Sequence, residues 1–152
     1  IVGVFGGQIT KKTVGANKVM VISTMPIVLG NFRDPDHIDQ YEAVAFVGQV
    51  PVKVTGPVTS GDYIVPSGKN DGTGVAVSGD QLTLSQLGQI VGQAWESNND
   101  TATKLVNVAI TPLDRPVELL KGLEADNKAL KKEVDSIKKE LESLKTLIQS
   151  KL

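Results

Sequence analysis

The run NFRDPDHIDQ, residues 31–40, gathers Asp34, Asp36 and Asp39 around His37. Carboxylate oxygens at such spacing can hold a hard cation. The twelve-residue calcium loop nevertheless needs Gly at its sixth position and Glu at its twelfth, and neither is present. His37 is the sole histidine, so one chain cannot build a multi-histidine metal site. Three copies on an axis could bring three His37 side chains together. The plainer reading is a solvated loop, and no metal or other cofactor is expected.

Nucleophilic chemistry needs a hydroxyl or thiol beside a base. There is no cysteine. Ser23, Ser60, Ser67 and Ser78 fall at predicted strand ends, and His37 lies in a polar loop with no elbow motif near any of them. No triad can be assembled, and no catalytic residue is assigned. The stretch GPVTSGDYIVPSGKNDGTG, residues 56–74, has the glycines of a ligand-cradling loop. A phosphate loop reads GxxxxGK[ST] and opens a helix, whereas GKNDGTG leads into the apolar VAVS. Gly, Asn and Asp supply positive φ and Pro presets turn geometry, so this segment reads as turn, strand, hairpin loop and strand. Trp95, Phe46 and Phe32 are expected to pack in a core or interface, with a sugar-stacking platform as the alternative.

The elements that must carry these residues divide at Thr111-Pro112. Before that point lie nearly all the Gly and Val, every aromatic residue and the only Trp; beyond it the chain is mostly Leu, Lys, Glu and Asp. The first part, 1–111, reads as short strands cut by turns: 1–5, 18–23, 27–29, 42–47, 50–55, 62–65, 74–78, 89–96 and 105–110. In VPVKVT, Val50, Val52 and Val54 alternate with Pro51, Lys53 and Thr55. In LVNVAI, Val106, Val108 and Ile110 alternate with Leu105, Asn107 and Ala109. Alternation with period two predicts one packed and one wet face, and strands at this spacing predict a short-strand antiparallel sandwich or barrel-like domain. Residues 80–88, DQLTLSQLG, fit a strand or one short helical turn. Gly3, Gly48 and Gly92 each interrupt an apolar strand, where Gly marks a bulge or a close backbone approach.

The second part, 112–152, carries the strongest pattern. With Leu113 as heptad position a, Leu120, Asn127, Val134, Leu141 and Ile148 also fall at a, and Leu123, Leu130, Ile137 and Leu144 fall at d. Pro116 suits a first turn, and Thr111 or Asp114 can cap it. Such spacing predicts a long helix that forms a coiled coil. Asp126, Glu133 and Glu140 at g oppose Lys131, Lys138 and Lys145 at e of a parallel neighbour. An antiparallel pairing would stack like charges, so parallel, in-register self-association is expected. Asn127 at a favours two strands; Ile137 at d with Leu141 at a favours three or more, and a homotrimer is the favoured reading.

Charge balance bears on two further classes of partner. Sixteen basic residues balance seventeen acidic ones, for a net charge of −1, which gives no reason to expect nucleic acid or an anionic membrane surface. IVGVFGGQ, at the start, has neither a basic head nor a long apolar core, so no signal peptide is expected. No apolar run reaches the roughly 18 residues of a spanning helix.

Taken in order, VMVISTMPIVLGN, EAVAFVGQVPVKVTGPVTSGDYIVPSGKNDGTGVAVS, GQIVGQAWES and KLVNVAI, followed by a coiled coil, resemble the C-terminal β-rich modules of bacteriophage tail-fibre and neck-appendage proteins. The resemblance covers most of residues 18–152 through turn-and-strand motifs. It implies trimerisation and intramolecular chaperoning of an elongated fibre, an upstream fibre region as partner, and a virion or extracellular-appendage location. Some members then release themselves by cleavage. The Ser-Asp-x-Arg-Leu-Lys signature of the self-cleaving class is absent here, so no catalytic residue follows from the resemblance. A structural, assembly role is expected, with a receptor- or glycan-binding fibre tip and a self-cleaving chaperone domain as alternatives.

Overall fold

The structure, a computed structural model, describes residues 1–30, 35–111 and 114–150, and for 114–122 the backbone alone. Asp34, Phe32 and Leu113 lie outside the described residues. The backbone divides into two compact units, Ile1–Leu113 and Asp114–Leu152. The first is β-rich and the second is one helix.

Within the first unit, β1 (Val2–Phe5), β2 (Gln8–Thr10), β3 (Lys18–Ile22) and β4 (Val44–Ala45) form an antiparallel sheet in the order β2-β1-β3-β4. A 3-10 segment, Pro35–Gln40, broken by a kink at His37, precedes β4. The remaining strands, β5 (Gly48–Thr55), β6 (Tyr63–Pro66), β7 (Gly74–Val77), β8 (Gly92–Ala94) and β9 (Thr103–Ile110), close into a barrel in the order β5-β7-β6-β8-β9. Its longest seam is antiparallel β5 on β9, from Gly48↔Ile110 to Thr55↔Thr103. The barrel closes through one parallel contact, Val54↔Gly74 between β5 and β7, so the unit is antiparallel except at that closure. Residues 84–87 form a short helix, α1 (Leu84–Leu87), opened by a capping box between Thr83 and Gln86.

The alternation of β5 and β9 places Val50, Val52 and Val54 with Val106, Val108 and Ile110 inside the barrel. Ile64, Val58, Val91 and Ala94 join them, and Val19, Val21 and Ala45 of the first sheet complete one continuous cluster. Each buried Val or Ile among them contributes about 1.5–3 kcal/mol by leaving water.

Two of the three interrupting glycines are close approaches. A Cβ on Gly92 would collide with the Ala109 carbonyl oxygen, and one on Gly3 with that of Lys12. Gly48 differs: it has open space but a φ of +118°, which side chains rarely adopt. Two physical demands thus underlie the three interrupting glycines.

Several strand expectations need correction. Residues 27–29 form no strand pairing among the described residues; Ile27 is fully exposed and Val28 nearly so. The predicted strand over 42–47 shrinks to Val44–Ala45, and that over 89–96 to Gly92–Ala94. β2 had no expectation at all, because Gln8–Thr10 is too short and polar to alternate visibly.

The second unit is α2, Asp114–Gln149, a helix of 36 residues. At 1.5 Å per residue it is about 54 Å long.

Candidate oligomerisation seam and loop clusters

On α2, residues three and four apart share a face, so the a and d positions form one stripe. Leu123, Leu130, Val134, Ile137, Leu141, Leu144 and Ile148 are each about half exposed, from 47% for Val134 to 61% for Ile148. Leu120 belongs to the helix, but its side chain lies outside the described residues. Asn127 is exposed within this stripe, and its Nδ2 donates to the Leu123 carbonyl one turn earlier at 3.2 Å. The amide therefore has a partner inside its own helix. Leu147, at g, extends the stripe sideways and is 55% exposed. It departs from the acidic residues Asp126, Glu133 and Glu140 at the earlier g positions.

Asp126, Glu133, Glu140, Lys131 and Lys138 flank the stripe and are exposed. Lys145 Nζ meets Glu142 Oε1 of the same helix at 3.1 Å. Both side chains are more than half exposed, so this pair adds little and can exchange for another carboxylate.

The polar clusters of the β-unit have structural uses. Asp36, His37 and Asp39 sit on the exposed 3-10 helix. Among the described residues, no group of three or more His, Asp or Glu side chains is arranged to hold a metal. The loop between β6 and β7 is organised around Asp71. Its Oδ1 accepts from the Thr73 hydroxyl at 2.7 Å, the Thr73 amide at 2.9 Å and the Ser67 hydroxyl at 3.0 Å. These bonds, the Thr73 hydroxyl first, hold its carboxyl down to about 2. Ser78 Oγ similarly donates to Asp80 at 2.6 Å and lowers its pKa.

The same loop is tied to the first sheet region. Asn70, at φ 56°, accepts the Thr13 amide on its Oδ1 at 3.3 Å, and the Gly72 carbonyl accepts from the Ile1 nitrogen at 2.6 Å. The Gly-rich stretch is turn chemistry, with β6 and β7 pairing from Tyr63↔Val77 to Pro66↔Gly74. Near its start, Lys104 Nζ crosses from β9 to the carbonyls of Gly56 and Asp100.

The aromatic residues depart most from expectation. Neither Phe46 nor Trp95 enters the core: they are 67% and 62% exposed. Trp95 follows β8 and continues its pairing, donating its amide to the Asn107 carbonyl at 2.8 Å. The alternation that buries Ala94 turns the indole outward. The Asn107 amide donates to Glu96 Oε1 at 2.8 Å, and its Nδ2 donates to Gln49 Oε1 at 3.1 Å.

No family model, curated protein or solved structure matches this chain.

Proposed function

We propose that this chain is an assembly module, in which α2 joins copies into a parallel, in-register, three-stranded coiled coil. The β-unit is thereby presented in several copies, and an elongated fibre or appendage protein is registered as by an intramolecular chaperone. The observation that carries this reading is the apolar stripe of α2, half exposed in the single chain over seven a and d positions from Leu123 to Ile148. An isolated helix gains little from such a stripe, because helical stability in water comes mostly from burying an apolar face. A second copy of the same helix is complementary to it: apolar on apolar, with Glu133 facing Lys138 of the neighbour and Glu140 facing Lys145.

Three strands suit the residues better than two. Ile137 at d and Leu141 at a fill a three-stranded seam, and Leu147 at g widens the apolar face beyond a two-helix contact. Asn127 otherwise argues for two strands, through pairing of its amide with a symmetry mate. Its bond to Leu123 weakens that argument by meeting the amide's need locally. Assembly of this kind raises the local concentration of the other chains and fixes their direction. Chains that must pair non-locally fold slowly, and prior registration removes that search.

Sedimentation equilibrium of the full chain at micromolar concentration tests the reading. The expected mass is three times 16.1 kDa. A lone chain would overturn it, and a twofold mass would retain self-association but replace the trimer.

A further inference from the structure

The outer face of the barrel collects aromatic and amide side chains in cross-strand rows. Tyr63 of β6 pairs with Gln93 of β8, which pairs with Ala109 of β9, which pairs with Gln49 of β5. The next row continues with Trp95 beside Asn107, which pairs with Pro51. Directly opposed residues share a face, with Cβ atoms about 4.5–5.5 Å apart. Ile64, Ala94, Val108 and Val50, the in-between positions, all point into the core. The rows therefore face solvent together.

We propose that this face is a carbohydrate-binding surface, with Trp95 as the stacking platform and Asn107, Gln49, Gln93 and Glu96 as partners for ring hydroxyls. The site is independent of the coiled-coil reading.

The backbone that carries the platform is held in place. The Trp95 amide bonds to β9, and the preceding Ala94 amide donates to the Asp62 carbonyl at 2.8 Å. With the backbone fixed, only the two side-chain torsions of the indole remain to be ordered when a ligand stacks on it. The polar groups beside it are also oriented, through the two bonds that Asn107 makes to Glu96 and Gln49. Gln93 is set by donating its Nε2 to the Gly61 carbonyl at 3.2 Å. Those bonds engage Glu96 Oε1, Asn107 Nδ2 and Gln49 Oε1. They leave Glu96 Oε2 and Asn107 Oδ1 as acceptors and Gln49 Nε2 as a donor.

This mixture matches a sugar. A pyranose presents an apolar C–H face to an indole and hydroxyls at its rim. Each hydroxyl both donates and accepts, so it can satisfy an amide donor and a carboxylate acceptor side by side. An anionic ligand would meet the Glu96 carboxylate. Ala109, the shortest side chain of its row, leaves room between Gln93 and Gln49.

Trp95 is the only tryptophan, so its emission reports this face alone. The full chain is titrated with three neutral tetrasaccharides, maltotetraose, cellotetraose and tetra-N-acetylchitotetraose, while Trp95 fluorescence is read. A saturable change with at least one of them is expected, at a Kd of about 1 mM or below. Calorimetry with the same sugar follows on two variants. Trp95→Ala and Gln49→Ala should each weaken binding by about ten-fold or more, as loss of a central contact does. Thr55→Ala, farther along the same strand, should leave it unchanged. Thermal melts of all three variants near that of the parent exclude unfolding as the cause. No saturable response to any of the three sugars overturns the proposal. So does undiminished binding by Trp95→Ala. An emission shift that follows protein concentration and no sugar would mark the face as a contact between copies, and would overturn it as well.

Discussion

The chain carries two apolar stripes of similar length and opposite fate. On β5 and β9, Val52, Val54, Val106 and Val108 are at most 1% exposed. On α2, Leu130, Ile137 and Leu144 are 57–58% exposed. Composition does not explain the contrast, since both stripes are aliphatic. Geometry does. A strand delivers its apolar face with period two, and five short strands can curl until those faces meet inside one chain. A single helix of 36 residues delivers its face along one line, and among the described residues there is no second helix of comparable length to meet it. The barrel thus buries its stripe within one molecule, while the helix leaves its own half exposed there; on the function proposed above, other copies would cover it.

The largest effect is expected where the helix stripe is made unusable. Ile137→Asp would place one carboxylate per chain on a shared axis, each costing several kcal/mol when desolvated. Sedimentation should report monomers, while circular dichroism should retain the β-unit signal. An unchanged oligomer would break the comparison. The counterpart in the barrel is Ile64→Ala, which empties a fully buried site and should cost about 2–5 kcal/mol. It should lower the denaturant midpoint of the β-unit and leave the oligomer mass unaltered. Dissociation by this variant would show that the two stripes are coupled.

A smaller effect is expected at Gly92→Ala, where the added methyl meets the Ala109 carbonyl and Val108. Overpacking of this kind costs about 1–3 kcal/mol. A melting temperature equal to the parent's would mean that β8 and β9 can move apart freely. Asn127→Ile should raise the helix melting temperature and loosen the choice of strand number, by replacing a polar a residue with an apolar one. A lower melting temperature at equal concentration would count against it.

The smallest expected effect is at Asp71. Its pKa is held at about 2, below the unfolded value of about 3.9, so its ionised form favours the folded loop. That contribution is fully present above about pH 4 and is lost as pH falls through 2. The Thr73 amide resonance should therefore titrate with a midpoint near 2. A midpoint near the ordinary carboxylate value would remove these hydrogen bonds from the account.

What the sequence made legible follows the same division. Alternation in VPVKVT and LVNVAI located both long strands and their buried faces, because eight paired positions give period two room to show. The turn residues of SGKNDGTG located the β6–β7 hairpin. Gln8–Thr10 was illegible, since three residues at a sheet edge need no apolar face. Residues 27–29 misled in the other direction: apolar composition predicts a strand only where a neighbouring strand offers its backbone. Closure of the barrel rests on Val54↔Gly74, a long-range meeting that no local pattern encodes. The outward Trp95 was missed because its size suggested burial. The phase was nevertheless readable, since an alternation through Gln93, Ala94 and Trp95 that buries Ala94 must expose the indole. Heptad spacing gave the helix stripe, while Leu147 at g was overlooked because attention followed charge at that position.

The β5–β9 ladder also has a consequence for synthesis. Its nearest partners, Thr55 and Thr103, are 48 residues apart in the chain. Translation at about 5–20 residues per second delays the second strand by several seconds after the first. During that interval Val50 and Val52 lack their β9 partners, and Val54 has only Gly74 of β7 to pair with. A ribosome paused between the two would hold a polypeptide primed for misassociation with its neighbours on the same messenger.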